Sequence, residues 1–140
     1  MHQVADGLYV GGIAAVSETA PLRDADIEVV VGLTHDPPAG GYPDPVRVIR
    51  EPMVDGPRNE APAFERAVEA TRDALTSDER ALVHCSAGAS RSVAVAAAAL
   101  TETTDRDLEA AFQRVVDRRP PADPHPALVR RAAGYLGYES

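Results

Sequence analysis

The stretch ALVHCSAGASRSVAVAAAAL, Ala81 to Leu100, allows the backbone few arrangements. A short apolar run comes first, then small residues and a glycine, then an unbroken apolar run from Val93 to Leu100. A brief apolar segment bounded by turn residues reads as a buried strand, and a longer alanine-rich one as a buried helix. We therefore expect a strand over Arg80–Cys85 and a buried helix over Ser92–Glu102. The only cysteine of the chain, Cys85, stands at the joint, and Arg91 follows six positions later.

The same reading extends along the chain. GLYVGG (Gly7–Gly12) predicts a strand closed by a glycine turn, and its glycines do not match a dinucleotide-binding pattern. Ile13–Asp26 predicts a short helix and turn. IEVVVGL (Ile27–Leu33) is β-branched and nearly continuous, as suits a strand covered on both faces. A Pro/Gly loop spans Thr34–Pro45, strand alternation begins at Val46, and a second loop covers Asp55–Pro62. Phe64, Val68 and Leu75 fall on one face of a helix over Ala63–Leu75. Thr104–Arg119 predicts an amphipathic helix, with Thr104 as N-cap and Asp107 in the capping-box position. RPPADPHP breaks it, and Ala127–Leu136 closes the chain as a last helix. Strands alternating with helices predict an α/β fold: a mostly parallel central sheet of about four to five strands flanked by helices.

A chain of 140 residues has the length of one domain and buries roughly 68–70% of its unfolded surface, so residues 1–140 are expected to form a single catalytic domain. No apolar run reaches 18 residues, and MHQVADGLYV lacks the basic start and apolar core of a signal peptide, so no membrane partner and a cytoplasmic location are expected. A lone cysteine excludes an internal disulfide and a multi-thiolate metal site. His2, His35 and His125 lack metal-ligand spacing, so no metal and no cofactor are expected, and these histidines read as structural or exposed. A net charge of −8 argues against nucleic acid held through phosphates. Every basic residue except histidine is arginine, and an acidic, lysine-free composition fits a high-salt proteome, although a GC-rich genome would favour the same choice. No long exposed apolar stripe stands out, so a monomer is the default.

Ligands of open α/β sheets bind at the carboxyl ends of strands, where Cys85–Arg91 would lie. The following helix offers free N–H groups and the positive end of its dipole, and Gly88 with its small neighbours lets successive N–H groups turn inward as an anion-binding nest. Arg91 adds a planar fork that grips two phosphate oxygens. Helix N-termini and nearby cations favour thiolate over thiol, so the field that binds phosphate also prepares Cys85 as a nucleophile.

HCSAGASRS (His84–Ser92) resembles the H-C-x5-R-S/T signature of the protein tyrosine phosphatase superfamily, and the surrounding chain is most similar to its compact dual-specificity phosphatases. GLYVGG resembles their opening strand, and RRPPADPHPALVRRAAGYL their Arg-Pro segment and final helix. The resemblance covers nearly the whole chain. It implies a phosphomonoesterase acting on phosphotyrosine and phosphoserine/threonine proteins through a phosphocysteine at Cys85. Arg91 and the N–H groups of the phosphate-binding loop (P-loop), Ser86, Ala87, Gly88, Ala89, Ser90 and Arg91, would hold the phosphoryl group. Ser92 would hydrogen-bond the sulfur and help it leave, and His84 would orient the loop. The family places an acidic Asp upstream, and Asp55, 30 residues before Cys85, matches that spacing; Asp44, Asp73 and Asp78 are its competitors.

Each residue also has a plainer reading. A cysteine after a strand is often a small core residue, and Asp55-Gly-Pro is good turn chemistry. Arg58 faces either the pocket or solvent, and Arg118 and Arg119 are expected at a helix C-terminus rather than at substrate. His125 stands where relatives often carry Asn, which puts a supporting hydrogen bond in doubt. Small, uncharged Ser86, Ala87 and Ala89 disfavour a phosphoinositide substrate.

Three other functions compete. A phosphate-binding module with little turnover would have no use for the acid Asp55. A rhodanese-like sulfurtransferase would not need Arg91 or Asp55, and in the low-molecular-weight type of phosphatase the loop lies near the N-terminus. Because no second cysteine can trap an oxidised Cys85, peroxide should inactivate the chain without forming an internal disulfide. Intact-mass analysis after peroxide should show oxygen or an added thiol on Cys85, or the net loss of two hydrogens that marks a sulfenamide.

Overall fold

Alternation along five short strands organises the structure, a computed structural model that describes residues 1–44 and 46–137. The strands are β1 (His2–Ala5), β2 (Leu8–Gly12), β3 (Val29–Gly32), β4 (Arg47–Arg50) and β5 (Ala81–Cys85), in the order β1-β2-β5-β3-β4. Only β1 runs antiparallel, paired to β2; the β2–β5, β5–β3 and β3–β4 pairs are parallel. The mixed α/β architecture expected from the sequence is the one present. Strand β5 is central, and its last residue, Cys85, is in register with Gly12 while His84 faces Gly32.

Successive strand residues point to opposite faces. Val4, Leu8, Val10, Val29, Val31, Ala81, Val83 and Cys85 face the larger core, covered by α2 (Ala61–Thr76), α3 (Arg91–Thr103), α4 (Leu108–Arg118) and α5 (Pro126–Tyr135). Tyr9, Val30 and Leu82 face a smaller core closed by Val16 and Leu22. The 13–26 segment that covers it is divided into a 3-10 turn, Ile13–Ser17, and a short α1, Thr19–Asp24, rather than one helix.

Helix α3 is buried along almost its whole length, every residue from Ser92 to Leu100 being inaccessible. Its alanines let α2, α4 and α5 approach closely, which is why the core uses few aromatics. Helix α4 begins at Leu108, a turn later than expected: Asp107 is its N-cap, accepting from the Ala110 N–H, and Thr104 instead caps the end of α3. Strand β1, absent from the sequence reading, is held by its ladder to β2 and by Arg114, which donates to the Val4 carbonyl at 2.8 Å. The expectation of one domain over 1–140 includes Pro45 and residues 138–140, which lie outside the described residues.

The close packing of α3 makes a size test direct. Ala97 is fully buried, so Ala97→Leu should cost about 1–3 kcal/mol by overpacking. Urea unfolding monitored by circular dichroism should show a lower midpoint with an unchanged slope.

Candidate active site

Strand β5 delivers Cys85 to the carboxyl edge of the sheet, 2% exposed, and the chain turns over five residues into α3. Cys85 Sγ and Ser92 Oγ are 3.1 Å apart, because Ser92 stands one residue into the helix and points back at the strand end. The turn between them has a consistent polarity. The Ser86 carbonyl accepts from Ile13 N–H at 3.0 Å, those of Ala87 and Gly88 from Arg119 at 3.1 Å each, and that of Ala89 from Asp123 N–H at 2.7 Å. Among the described residues, the N–H groups of Ala87, Gly88, Ala89 and Ser90 have no acceptor. Gly88 and Ser90 are buried, Ala89 is half-buried and Ala87 is exposed; buried backbone donors are ordinarily paired, so a loop with its carbonyls held and its N–H groups unpaired can take an anion.

Two glycines permit this path. Gly88 has φ +69°, and a Cβ there would lie 2.5 Å from Arg119 Nη2 and from the Gly11 backbone. Gly12 lies so close beneath the loop that a Cβ would approach the Ser86 carbonyl oxygen to 2.8 Å. The opening glycine pair therefore makes room for the loop, in addition to ending β2.

Arg91, the first residue of α3, spans the mouth. Its guanidinium donates to the Met53 carbonyl at 3.0 Å and to Ser86 Oγ at 3.1 Å. Met53 leads into the segment that carries Asp55. Asp55 is exposed, and its Oδ1 accepts from Ser90 Oγ at 2.7 Å, which joins it to the cysteine loop. Ser90 Oγ in turn accepts from the His125 N–H at 2.8 Å. The competitors do not converge here: Asp73 pairs with Arg72 on α2, Asp44 lines a cavity with Leu22 and Ile27, and Asp78 lies just before β5, at the opposite edge of the sheet.

Several supporting residues were not found from sequence. Asn59, 4% exposed, donates to the Val54 carbonyl at 2.9 Å and accepts from Arg131 of α5, so the Asp55 segment is pinned from both ends. Tyr42, in the loop after β3, shares a 2.9 Å hydrogen bond with His84 Nε2. Arg119 is the C-cap of α4, at the helix end where it was expected, but its side chain grips the loop carbonyls and reaches His2 Nδ1 at 2.8 Å. His125 donates its backbone N–H to Ser90 Oγ, and its Nδ1 caps α5 by accepting from Ala127. Arg58 lines a cavity of about 300 Å³ with His35, Met53, Val54 and Glu60, beside the Asp55 segment. Among the described residues no cluster of His, Cys, Asp or Glu has a metal-binding arrangement.

His84 is fully buried. Burial, opposed by its contact with the Cys85 carbonyl and reinforced by Arg91 and Arg50, lowers its pKa from 6.5 to about 4. The neutral ring therefore persists in the folded protein, while the unfolded chain binds a proton below pH 6.5. Stability from this residue is complete above pH 6.5 and is lost as pH falls towards 4, by about 3 kcal/mol in all. Urea unfolding at pH 4 to 7 should show this loss, and a folded His84→Gln variant should lack that share of it.

With this geometry in place, comparison with known proteins gives a consistent result. The family described as dual specificity phosphatase, catalytic domain, matches residues 8–133. Mouse dual specificity protein phosphatase 12 is 34% identical over 142 residues, covering 98% of this chain and 42% of its own length. Human dual specificity phosphatase 28 is 32% identical over 127 residues, covering 90% of this chain and 72% of its own. The crystal structure of human DUSP28 superposes with a TM-score of 0.88 at 29% identity, covering 98% of this chain and 96% of that one. The chain thus spans about two fifths of the first of these relatives and nearly all of the last structure. A match that begins at Leu8 and runs through the cysteine loop into α5 places this chain in the dual specificity phosphatase catalytic-domain family.

Proposed function

We propose that this chain hydrolyses phosphomonoesters on proteins, phosphotyrosine and phosphoserine/threonine alike, in two steps through a phosphocysteine at Cys85. The observation that carries the reading is the buried Cys85 thiol, 3.1 Å from Ser92 Oγ, at the base of a loop whose N–H groups from Ala87 to Ser90 have no acceptor among the described residues.

In the first step Cys85 Sγ attacks phosphorus and the bond to the leaving oxygen breaks. Negative charge on the equatorial oxygens is met by the N–H groups from Ser86 to Arg91 and by the Arg91 fork. Two of the five Arg91 donors already serve Met53 and Ser86, so the guanidinium is oriented before substrate arrives. Asp55 donates its proton to the leaving oxygen. Ser90 and Asn59 support this role by fixing the segment that carries it. In the second step water attacks the phosphocysteine, Asp55 takes its proton, and the sulfur leaves as a thiolate stabilised by the Ser92 hydroxyl. His84 keeps the strand end in place and takes no proton.

A single free cysteine that must stay reduced fits a reducing, cytoplasmic setting. Residues 1–140 act as one catalytic domain, as a monomer and without a cofactor. The net charge of −8 repels phosphoproteins at a distance, but the Debye length is about 8 Å at 0.15 M salt and about 3 Å at 1 M, so the local cradle governs binding.

Hydrolysis of p-nitrophenyl phosphate with EDTA and a reductant tests the proposal, from pH 5 to 8 and from dilute to molar NaCl. Cys85→Ser should abolish turnover. Asp55→Asn should lower it by about 10²–10⁴-fold. A folded wild type without turnover at any salt would instead make the chain a phosphate-binding module.

A further inference from the structure

Arg119 presents a charge problem that the proposed mechanism does not use. It follows α4 and is 6% exposed. Its three contacts are neutral: the Gly88 carbonyl through Nε, the Ala87 carbonyl through Nη2 and His2 Nδ1 through Nη1. A guanidinium only donates, so His2 accepts through Nδ1 and its ring is neutral, with its proton on Nε2. No carboxylate among the described residues lies within ion-pairing distance of Arg119. A buried cation without a counter-charge is strongly unfavourable.

Cys85 opens the loop whose Ala87 and Gly88 carbonyls Arg119 grips. Burial lowers the pKa of Arg119, and a charge on Cys85 acts in the opposite direction. The loop is moulded around this cation, since even a methyl group on Gly88 would run into Arg119 Nη2.

We propose that Arg119 is a positioning residue for catalysis: it acts as the standing counter-cation of the Cys85 thiolate from behind the phosphate-binding loop, while neutral His2 of β1 holds its third arm. Arg91 then serves the substrate face and Arg119 the protein face. The division makes the first strand part of the catalytic apparatus, because His2 and Arg119 are 117 residues apart in sequence. The other titratable groups near this centre are Asp55 through Ser90 and the Met1 amino group beside Arg119; His84 touches only the Cys85 carbonyl, from the opposite face of the sheet.

The inference rests on Cys85 being the nucleophile, so its test reads the thiol directly. With one cysteine in the chain, the rate of iodoacetamide alkylation at pH 6, followed by intact mass, reports thiolate content. Arg119→Gln keeps a donor without the charge, and Arg119→Lys keeps the charge without the fork. His2→Glu leaves Arg119 intact but gives it a rival anion at a half-exposed position. Arg119→Gln and His2→Glu should slow alkylation by about tenfold, and Arg119→Lys should stay within about twofold of wild type. Circular dichroism checks that each is folded. Equal slowing of the Gln and Lys variants, or an unchanged rate in folded His2→Glu, would overturn the inference. Should Arg119→Gln fail to fold, the His2→Glu rate decides alone. A wild-type thiol no more reactive than free cysteine would instead sink the phosphatase reading itself.

Discussion

The backbone polarity of five residues, Ser86 to Ser90, is the constraint on which the rest of the structure depends. A peptide carries its N–H and C=O on opposite sides, so a loop that presents N–H groups to a ligand must find other partners for its carbonyls. Here those partners come from distant parts of the chain: Ile13 after β2, Arg119 after α4 and Asp123 before α5. Each holds one or two oxygens outward. The cradle is therefore a product of the whole fold, although it occupies one short turn.

Much of the architecture serves this arrangement. Parallel pairing of β2 with β5 brings Gly12 beneath the loop, and a glycine there lets the two turns approach. Antiparallel β1 positions His2 beside Arg119. The alternation of β5 sends Cys85 to the helix-covered face and His84 to the opposite one, where Tyr42 meets it. Adjacent residues thus do different work because of the two-residue repeat of a strand. The alanine-rich α3 is set by the same demand, since its N-terminus must sit close to the cysteine with three other helices packed around it.

The sequence was informative where structure is local. Strand, turn and helix around Cys85 were legible because apolar run length and a glycine-bearing turn determine them, and Arg91 and Ser92 fall in fixed positions relative to that turn. Asp55 was singled out through the spacing of a resemblance, and the structure places its carboxylate against Ser90 of the loop. Arg119 stands at the helix end that its neighbours in sequence suggest, but its side-chain partners were not legible because they are about 31 and 117 residues away. Tyr42, Asn59 and Arg131 were missed for the same reason: 42 and 72 residues separate the bonded pairs, and no periodicity encodes such contacts. The start of α4 was misplaced by one turn, since Thr104 and Asp107 both carry capping oxygens and only packing against α3 chooses between them. Strand β1 is short and polar at its start, and is formed by its partner β2 rather than by its own pattern.

The central claim is that Cys85 carries the phosphoryl group between the two steps. The most direct measurement is acid quenching of the wild-type chain while it turns over a phosphotyrosine peptide, followed by mass mapping. The account predicts one added phosphoryl group, on the fragment that contains Cys85. Turnover with the group on another residue, or with no labelled fragment even when Ser92→Ala slows the second step, would contradict it.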